Sequence, residues 1–155
     1  MVTNFELAES ALSRSERWLQ GASRALEDRR WDDVVFSSQM AIEVSSKAVL
    51  LTMGVDFPKQ HDVSSVFREL AKNRAVPRWF PVEKLASNIS TFAEMRALAE
   101  YAYERGVGGE HFKKGSREAL DEAATHVAAC KRLIRTLKAR ARPREGGKAG
   151  SLKSP

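Results

Sequence analysis

The chain has 155 residues, 43% hydrophobic and 30% charged, which predicts a single globular domain large enough to bury a core. No continuous run of about 18 apolar residues is present and the first residues are polar, which argues against a membrane span or a secretory signal. The single cysteine, Cys130, excludes an intramolecular disulfide, so we expect a reducing, cytoplasmic location, and the net charge of +6 raises the question of a polyanionic partner.

Two long helices are predicted in the N-terminal third of the chain. The first covers about residues 4–28, because Thr3 begins a capping box and leucines and alanines follow at helical intervals. The second covers about residues 32–53, with Asp32 as its N-cap and Gly54 ending it.

The second helix is apolar over most of its circumference, which predicts packing on several sides. Its apolar residues form three rows around the helix: Val34, Ala41 and Ala48; Val35, Ile42 and Val49; and Phe36, Met40 and Leu50. Glu43 and Lys47 continue the third row, where burial is expected. Buried charges are costly unless paired, so these two residues indicate either a structural ion pair or a functional site.

Three further helices follow. A short one begins after Asp62, a long one covers about residues 82–105, and the last runs from about residue 116 to residue 140. A connection with two prolines precedes the long helix, and its Trp79 and Phe80 are expected to fill the core. No alternating β pattern is visible. The sequence therefore predicts an all-α, up-and-down antiparallel bundle of four long helices and one short helix.

The bundle is expected to occupy residues 1–142, followed by a disordered basic tail over residues 143–155. From Lys138 onward six basic residues accompany one acid, Glu145, so +5 of the net charge of +6 lies at this end. Such a tail either adds salt-dependent affinity for polyanions or only keeps the protein in solution.

The fourth helix carries an arginine among apolar residues. Its expected bundle-facing residues are spaced by four, three, four, three and four: Leu85, Ile89, Phe92, Arg96, Ala99 and Tyr103. An arginine in this position must reach solvent or meet an acceptor; Glu43 is the natural candidate, and Glu100 is the local alternative. The sequence therefore predicts that one polar cluster lies between two helices, formed by Glu43, Lys47, Arg96, Tyr101 and Tyr103.

Two interpretations of this cluster stay open. It is either a buried ion pair that fixes the helix register or a guanidinium that recognises a phosphate or a base edge. His61 is expected to be structural, tying its connection to the bundle. No metal site is expected at His126, and no cofactor is expected.

The segment SSQMAIEVSSKAVLLTMGVDFPKQHD resembles the signature of the HEPN domain family, whose name refers to nucleotide binding. The resemblance extends over about residues 5–137, with weaker support from the segment RALAEYAY and the alanine-rich last helix. The matching residues are Gln39, Ala41, Glu43, Lys47, Ala48, Leu50, Gly54, Pro58, His61 and Asp62.

The resemblance provides a sequence motif by which nuclease activity can be judged. Catalytic HEPN proteins are metal-independent RNases with an arginine, four to six residues and then a histidine, and the pair meets its symmetry mate across a dimer interface. Tyr101 stands where that histidine would follow Arg96. A phenol does not exchange protons readily near neutral pH, so RNase activity is expected to be weak or absent. Arg105 and His111 also have the required spacing, across a glycine-rich loop.

A second branch of the family is the set of partners of minimal nucleotidyltransferases, with the motif Arg, four residues, His, one residue, Tyr. The nucleotidyltransferase transfers AMP to the tyrosine and silences the HEPN toxin. Tyr103 matches that tyrosine, as a modification site, while Glu43, Lys47 and Arg96 complete the ligand-binding candidates.

The resemblance thus implies a nucleotide- or RNA-binding homodimer in a toxin–antitoxin-type pair with such a partner. Two alternatives stay open. One is an endoribonuclease with an atypical site at Arg96–Tyr101 or Arg105–His111; the other is a structural dimeric helical protein.

Overall fold

The computed structural model describes residues 1–142, a range that contains helices and connecting turns and no strand. Three short 3-10 turns, Glu69–Lys72, Ala102–Arg105 and Gly109–Phe112, join the longer elements. The helices are α1 (Asn4–Glu27), α2 (Trp31–Thr52), α3 (Ser64–Arg68), α4 (Val82–Tyr101) and α5 (Lys113–Ala141). The predicted all-α bundle with four long helices and one short helix is confirmed. The predicted tail over residues 143–155 lies outside the described residues.

Helix α2 is the centre of the bundle, as its apolar circumference predicted. It packs against α1, α4 and α5, and 13 of its 22 residues are buried. By length and composition alone it could cross a membrane, since one window of α2 reaches a mean hydropathy of 1.3. However, 67% of that window is buried inside the bundle. The sequence therefore does contain one helix that is long and apolar enough to span a membrane, although it lacks a continuous apolar run. In the fold, neighbouring helices cover most of the apolar surface of this helix.

The N-termini of α1 and α2 are capped differently. The predicted capping box of α1 is present, because the Thr3 hydroxyl accepts from the Glu6 N–H and the Glu6 carboxylate accepts from the Thr3 N–H. Helix α2 begins at Trp31, so the prediction that Asp32 is its N-cap is wrong; Arg30 occupies that position without a side-chain bond. Asp32 lies instead in the first turn, where its negative charge interacts favourably with the positive end of the helix dipole.

The two ends of α4 differ from the sequence prediction. Before α4, Phe80 is buried in the core, but Trp79 stays 36% exposed, so only one of the two aromatic rings fills the connection. After α4, the chain turns into the 3-10 segment Ala102–Arg105, which ends at Gly106 with a φ of 70°. A positive φ suits glycine because it has no Cβ. The predicted helix over residues 82–105 is therefore an α-helix followed by a tighter turn.

Candidate functional site

The predicted polar cluster is divided into two separate groups, of which the first surrounds Glu43. The Glu43 side chain is buried in the bundle at the middle of α2. Its carboxylate accepts from Gln39 Nε2 at 2.9 Å, one turn earlier, and from Lys47 Nζ at 2.8 Å, one turn later. His61 Nδ1, from the connection after α2, lies 3.0 Å from the same carboxylate. The expectation that His61 ties this connection to the bundle is confirmed.

The contacts of Glu43 decide its charge. Burial by itself raises the pKa of the Glu43 carboxyl, but hydrogen bonds from Lys47, Gln39 and His61 together outweigh burial and lower the pKa below its usual 4.5. Glu43 is therefore ionised at neutral pH, and the Lys47 ammonium neutralises it. The carboxylate has its hydrogen-bond donors within the chain, which is typical of a structural ion pair.

The second group surrounds Arg96, near the end of α4. The Arg96 side chain is only 15% exposed, which confirms that it is substantially buried. Its Nη1 lies 2.9 Å from Glu100 Oε2, and its guanidinium carbon lies 5.1 Å from the centre of the Phe36 ring. Arg96 Nε is buried and has no hydrogen-bond partner within residues 1–142.

The predicted pairing of Arg96 with Glu43 is wrong, and the local alternative, Glu100, is confirmed. Arg96 packs against α2 at the level of Phe36, seven residues before Glu43, which corresponds to about 10 Å along a helix. Glu100 lies one turn from Arg96 on the same helix, where the two side chains meet without any tertiary requirement. Glu43 and Lys47 therefore do not join Arg96 in one site.

The two tyrosines lie at the end of α4. Tyr101 is the last residue of α4 and is 46% exposed, whereas Tyr103 lies in the following 3-10 turn and is 75% exposed. The Tyr103 hydroxyl donates to Glu104 Oε1 at 3.3 Å. The expected bundle-facing position of Tyr103 is wrong, because the α-helical spacing on which it depended ends at Tyr101.

Arg105 and His111 are both exposed, and neither side chain forms a hydrogen bond or an ion pair within the described range. The glycine-rich segment between them is partly structured. Residues Gly109–Phe112 form a 3-10 turn that packs against α2, and a Cβ at Gly109 would lie 3.4 Å from Asp32 Oδ1. The structure thus shows no contact that would hold these two side chains as a catalytic pair.

A buried network around His126 was not predicted from the sequence. His126 Nε2 lies 2.7 Å from Ser46 Oγ, and because that hydroxyl donates to the Ile42 carbonyl, we assign the ring proton to Nε2. Nδ1 then accepts from Asn88 Nδ2 at 3.4 Å. Burial lowers the pKa of His126 to about 3, so the ring is neutral and links α2, α4 and α5.

Within residues 1–142, no group of His, Cys, Asp and Glu side chains is arranged to hold a metal ion. Cys130 is buried, and burial raises the pKa of its thiol to about 12, so a reactive thiolate is not available. The arrangement offers instead one buried cation, Arg96, and two exposed phenols at the end of α4.

Comparison with known proteins gives two matches. The family model of the HEPN domain matches residues 8–139. A protein of Methanocaldococcus jannaschii named as a "putative toxin" is 36% identical over 67 residues, which are 43% of this chain and 43% of that protein. The matched segment therefore spans less than half of that relative. No solved structure gives a significant match.

The Glu43 network predicts a dependence of stability on pH. A carboxylate whose pKa is lower in the folded chain stabilises the fold above its unfolded pKa, and this contribution is lost as the pH falls through the folded value. We expect the free energy of unfolding to fall less steeply in Glu43→Gln than in the wild type between about pH 5 and about pH 3. Urea titrations at several pH values measure this difference.

The control is Glu94→Gln, at an exposed position without an ion pair in the described part of the chain. It should follow the wild-type pH dependence. Equal slopes for Glu43→Gln and the wild type would show that the Glu43 carboxylate carries no net stabilisation.

Proposed function

The chain belongs to the HEPN domain family, and from that premise we propose that it is the toxin-type member of a two-protein pair whose partner is a minimal nucleotidyltransferase. The name of the Methanocaldococcus relative supports the first part of the proposal. The order Arg96, four residues, Tyr101, one residue, Tyr103 supports the second part, since it keeps the arginine and the last tyrosine of the motif.

The proposal depends mainly on the contacts of the Arg96 guanidinium. Its guanidinium is held by Glu100 on one side and by the Phe36 ring on the other, while its buried Nε lacks a partner in residues 1–142. Within the described residues Arg96 Nε shares this condition only with two uncharged buried atoms, Ser38 Oγ and Gln39 Oε1, and a cationic donor in this state calls for an explanation. Glu100 is about one-third exposed, so a phosphate can replace it and accept two parallel hydrogen bonds from the guanidinium.

Tyr103 has the features of an acceptor for AMP. Its hydroxyl is exposed and donates to Glu104, a carboxylate that can take the phenolic proton. In the proposed reaction the phenolic oxygen attacks the α-phosphorus of ATP, the new P–O bond forms, and the bond to pyrophosphate breaks. Tyr103 follows Arg96 by seven residues, so the added phosphate would remain at the same end of α4.

Glu43 and Lys47 have a different role in this proposal from the one predicted from the sequence. Because the Glu43 carboxylate is occupied by Lys47, Gln39 and His61, we assign this group to the positioning of the connection after α2. The proposed nucleotide- or RNA-binding group is therefore Arg96 with the tyrosines that follow α4.

We also propose that the protein is a homodimer. A row of half-buried apolar residues lies on α2, formed by Phe36, Met40 and Val44, and the half-buried end of α4 packs beside Phe36. A symmetric pair of such faces would bring two copies of Arg96 toward one interface. A monomer in sedimentation at micromolar concentrations would contradict this assignment.

The proposed modification predicts a clear difference between two neighbouring tyrosines. When the purified protein is incubated with ATP, Mg²⁺ and a minimal nucleotidyltransferase from the same genome, mass spectrometry should find one AMP on Tyr103. Tyr103→Phe should abolish the transfer because the attacking hydroxyl is gone. Tyr101→Phe is the matched control and should still be modified. Modification of Tyr101 alone, or of neither tyrosine, would contradict the assignment of Tyr103.

The replacement of the family histidine by Tyr101 predicts weak or absent metal-independent RNase activity in the isolated protein. Arg96 can stabilise a phosphate, but the acid–base contribution to cleavage, roughly 10²–10⁴-fold, lacks a group that titrates near neutral pH. The measurement is cleavage of labelled RNA in the presence of a chelator. Cleavage that is lost in His111→Ala would identify Arg105–His111 as the site, and cleavage that is lost only in Arg96→Ala would show that Tyr101 is tolerated.

A further inference from the structure

The C-terminal half of α5 carries a set of arginines without acidic partners. From Ala123 to Arg142 the sequence contains no Asp or Glu. The two lysines of this segment pair with α1: Lys131 Nζ lies 2.7 Å from Glu16, and Lys138 pairs with Glu9. The remaining cations are arginines, and none forms an ion pair with a carboxylate in residues 1–142: Arg132, Arg135, Arg140 and Arg142.

The connection between α3 and α4 lies against the same part of α5. The guanidinium carbon of Arg132 lies 3.9 Å from the centre of the Trp79 ring, and Arg140 Nη1 approaches the Ala75 carbonyl at 3.5 Å. Arg132 and Arg140 are eight residues apart, so the connection follows α5 over about 12 Å. It adds two more exposed arginines, Arg74 and Arg78.

The exposed arginines of the C-terminal half of α5 and of the adjoining connection, together with Trp79, are called the arginine surface. A shallow groove on the exposed side of α5 begins one turn before Arg132 and is lined by Ala128, Lys131, Arg132, Arg135, Thr136 and Ala139. Glu9 lies near Arg135, but it is already paired with Lys138. The members of the arginine surface are Arg74, Arg78, Trp79, Arg132, Arg135 and Arg140.

The composition of the arginine surface selects its ligand. A guanidinium binds a phosphate through two parallel hydrogen bonds and also stacks on aromatic rings and bases, which an ammonium group does less well. Arg132 and Trp79 are already stacked, and Trp79 is partly exposed, so a flat platform is available without ordering flexible side chains. Platforms of this kind accept unpaired bases of any sequence. An acidic protein would use the charges but not the platform.

The length of the arginine surface also fits a polynucleotide. The arginines extend over about 12 Å of α5, which is longer than the distance between neighbouring phosphates of an unpaired strand, so the surface can contact more than one phosphate. The surface lies apart from Arg96, because Trp79 precedes α4 whereas Arg96 follows Val82 by 14 residues, or about 20 Å along the helix.

We propose that the arginine surface binds an unpaired polynucleotide strand, with phosphates on Arg132, Arg135 and Arg140 and a base on the Arg132–Trp79 platform. This inference rests on the RNA-binding part of the proposed function and gives it a surface distinct from Arg96 and Tyr103. RNA and DNA strands share the chemistry that the surface recognises, so both are used in the test.

The test is fluorescence anisotropy of labelled RNA and DNA oligonucleotides of one unstructured sequence, and of the matching duplex, titrated with the full chain. The double variant Arg132→Ala/Arg135→Ala should weaken binding at least tenfold and reduce the slope of log K against log salt by about 1.4, or about 0.7 per phosphate contact. Trp79→Ala should weaken binding by about tenfold, whereas Trp79→Phe keeps a ring and should stay close to wild type.

The matched control is Arg117→Ala, an exposed arginine on the N-terminal half of the same helix without an ion pair in the described residues. It should leave affinity unchanged, and circular dichroism should show all variants folded. The proposal would be overturned if the chain bound no oligonucleotide at low ionic strength, or if Arg117→Ala lost as much affinity as Arg132→Ala/Arg135→Ala. Equal affinity for the duplex, or binding of an acidic polypeptide in place of the oligonucleotides, would also overturn it. The binding assay contains neither ATP nor a nucleotidyltransferase, so a failure of the AMP-transfer assignment is distinguishable from a failure here.

Discussion

The burial of α2 against three neighbouring helices is the constraint on which the rest of the structure depends. A helix in this position can keep a charge only where the chain itself supplies a partner, because an unpaired buried charge costs several kcal/mol. Glu43 meets this condition through Lys47, Gln39 and His61, and the His61 contact also fixes the connection that follows α2. The same helix offers the Phe36 ring to Arg96. One buried helix thus positions both polar groups, at levels about 10 Å apart.

The Glu43 carboxylate and the Arg96 guanidinium differ in how completely their hydrogen bonds are satisfied, and this difference separates structure from proposed function. The Glu43 carboxylate has three donors, and the resulting fall in its pKa is a gain in stability. The Arg96 guanidinium has one carboxylate, one aromatic ring and a buried Nε without a partner in the described residues. A cation held in place with unused donors is suited to bind an anion at little cost in ordering. In the proposed function, Tyr103, which is exposed beyond the end of α4, carries that anion covalently.

The sequence predicted the helices well because the relevant signals are local: the capping box at Thr3 and the helical repeats. It failed where the outcome depends on the exact end of a helix, on which of several partners a side chain meets, or on contacts between distant residues. The change to a 3-10 turn after Tyr101 moved Tyr103 from the expected bundle face to solvent. Arg96 pairs with Glu100, one turn away on the same helix, whereas the Glu43 carboxylate is already bonded to Lys47. The stacking of Arg132 on Trp79 joins residues 53 positions apart, and no periodic pattern in the sequence reports such a contact.

The most direct measurement of the central claim is the side-chain Nε–H resonance of Arg96, observed by ¹H–¹⁵N NMR while AMP is added. The resonance is assigned by its loss in Arg96→Lys. If Arg96 binds a phosphate through its unused donor, the signal should shift progressively and saturate, while the Nε–H of the exposed Arg117 stays in place. A resonance of Arg96 that does not move when AMP is in large excess would contradict the assignment of Arg96 as the anion-binding group.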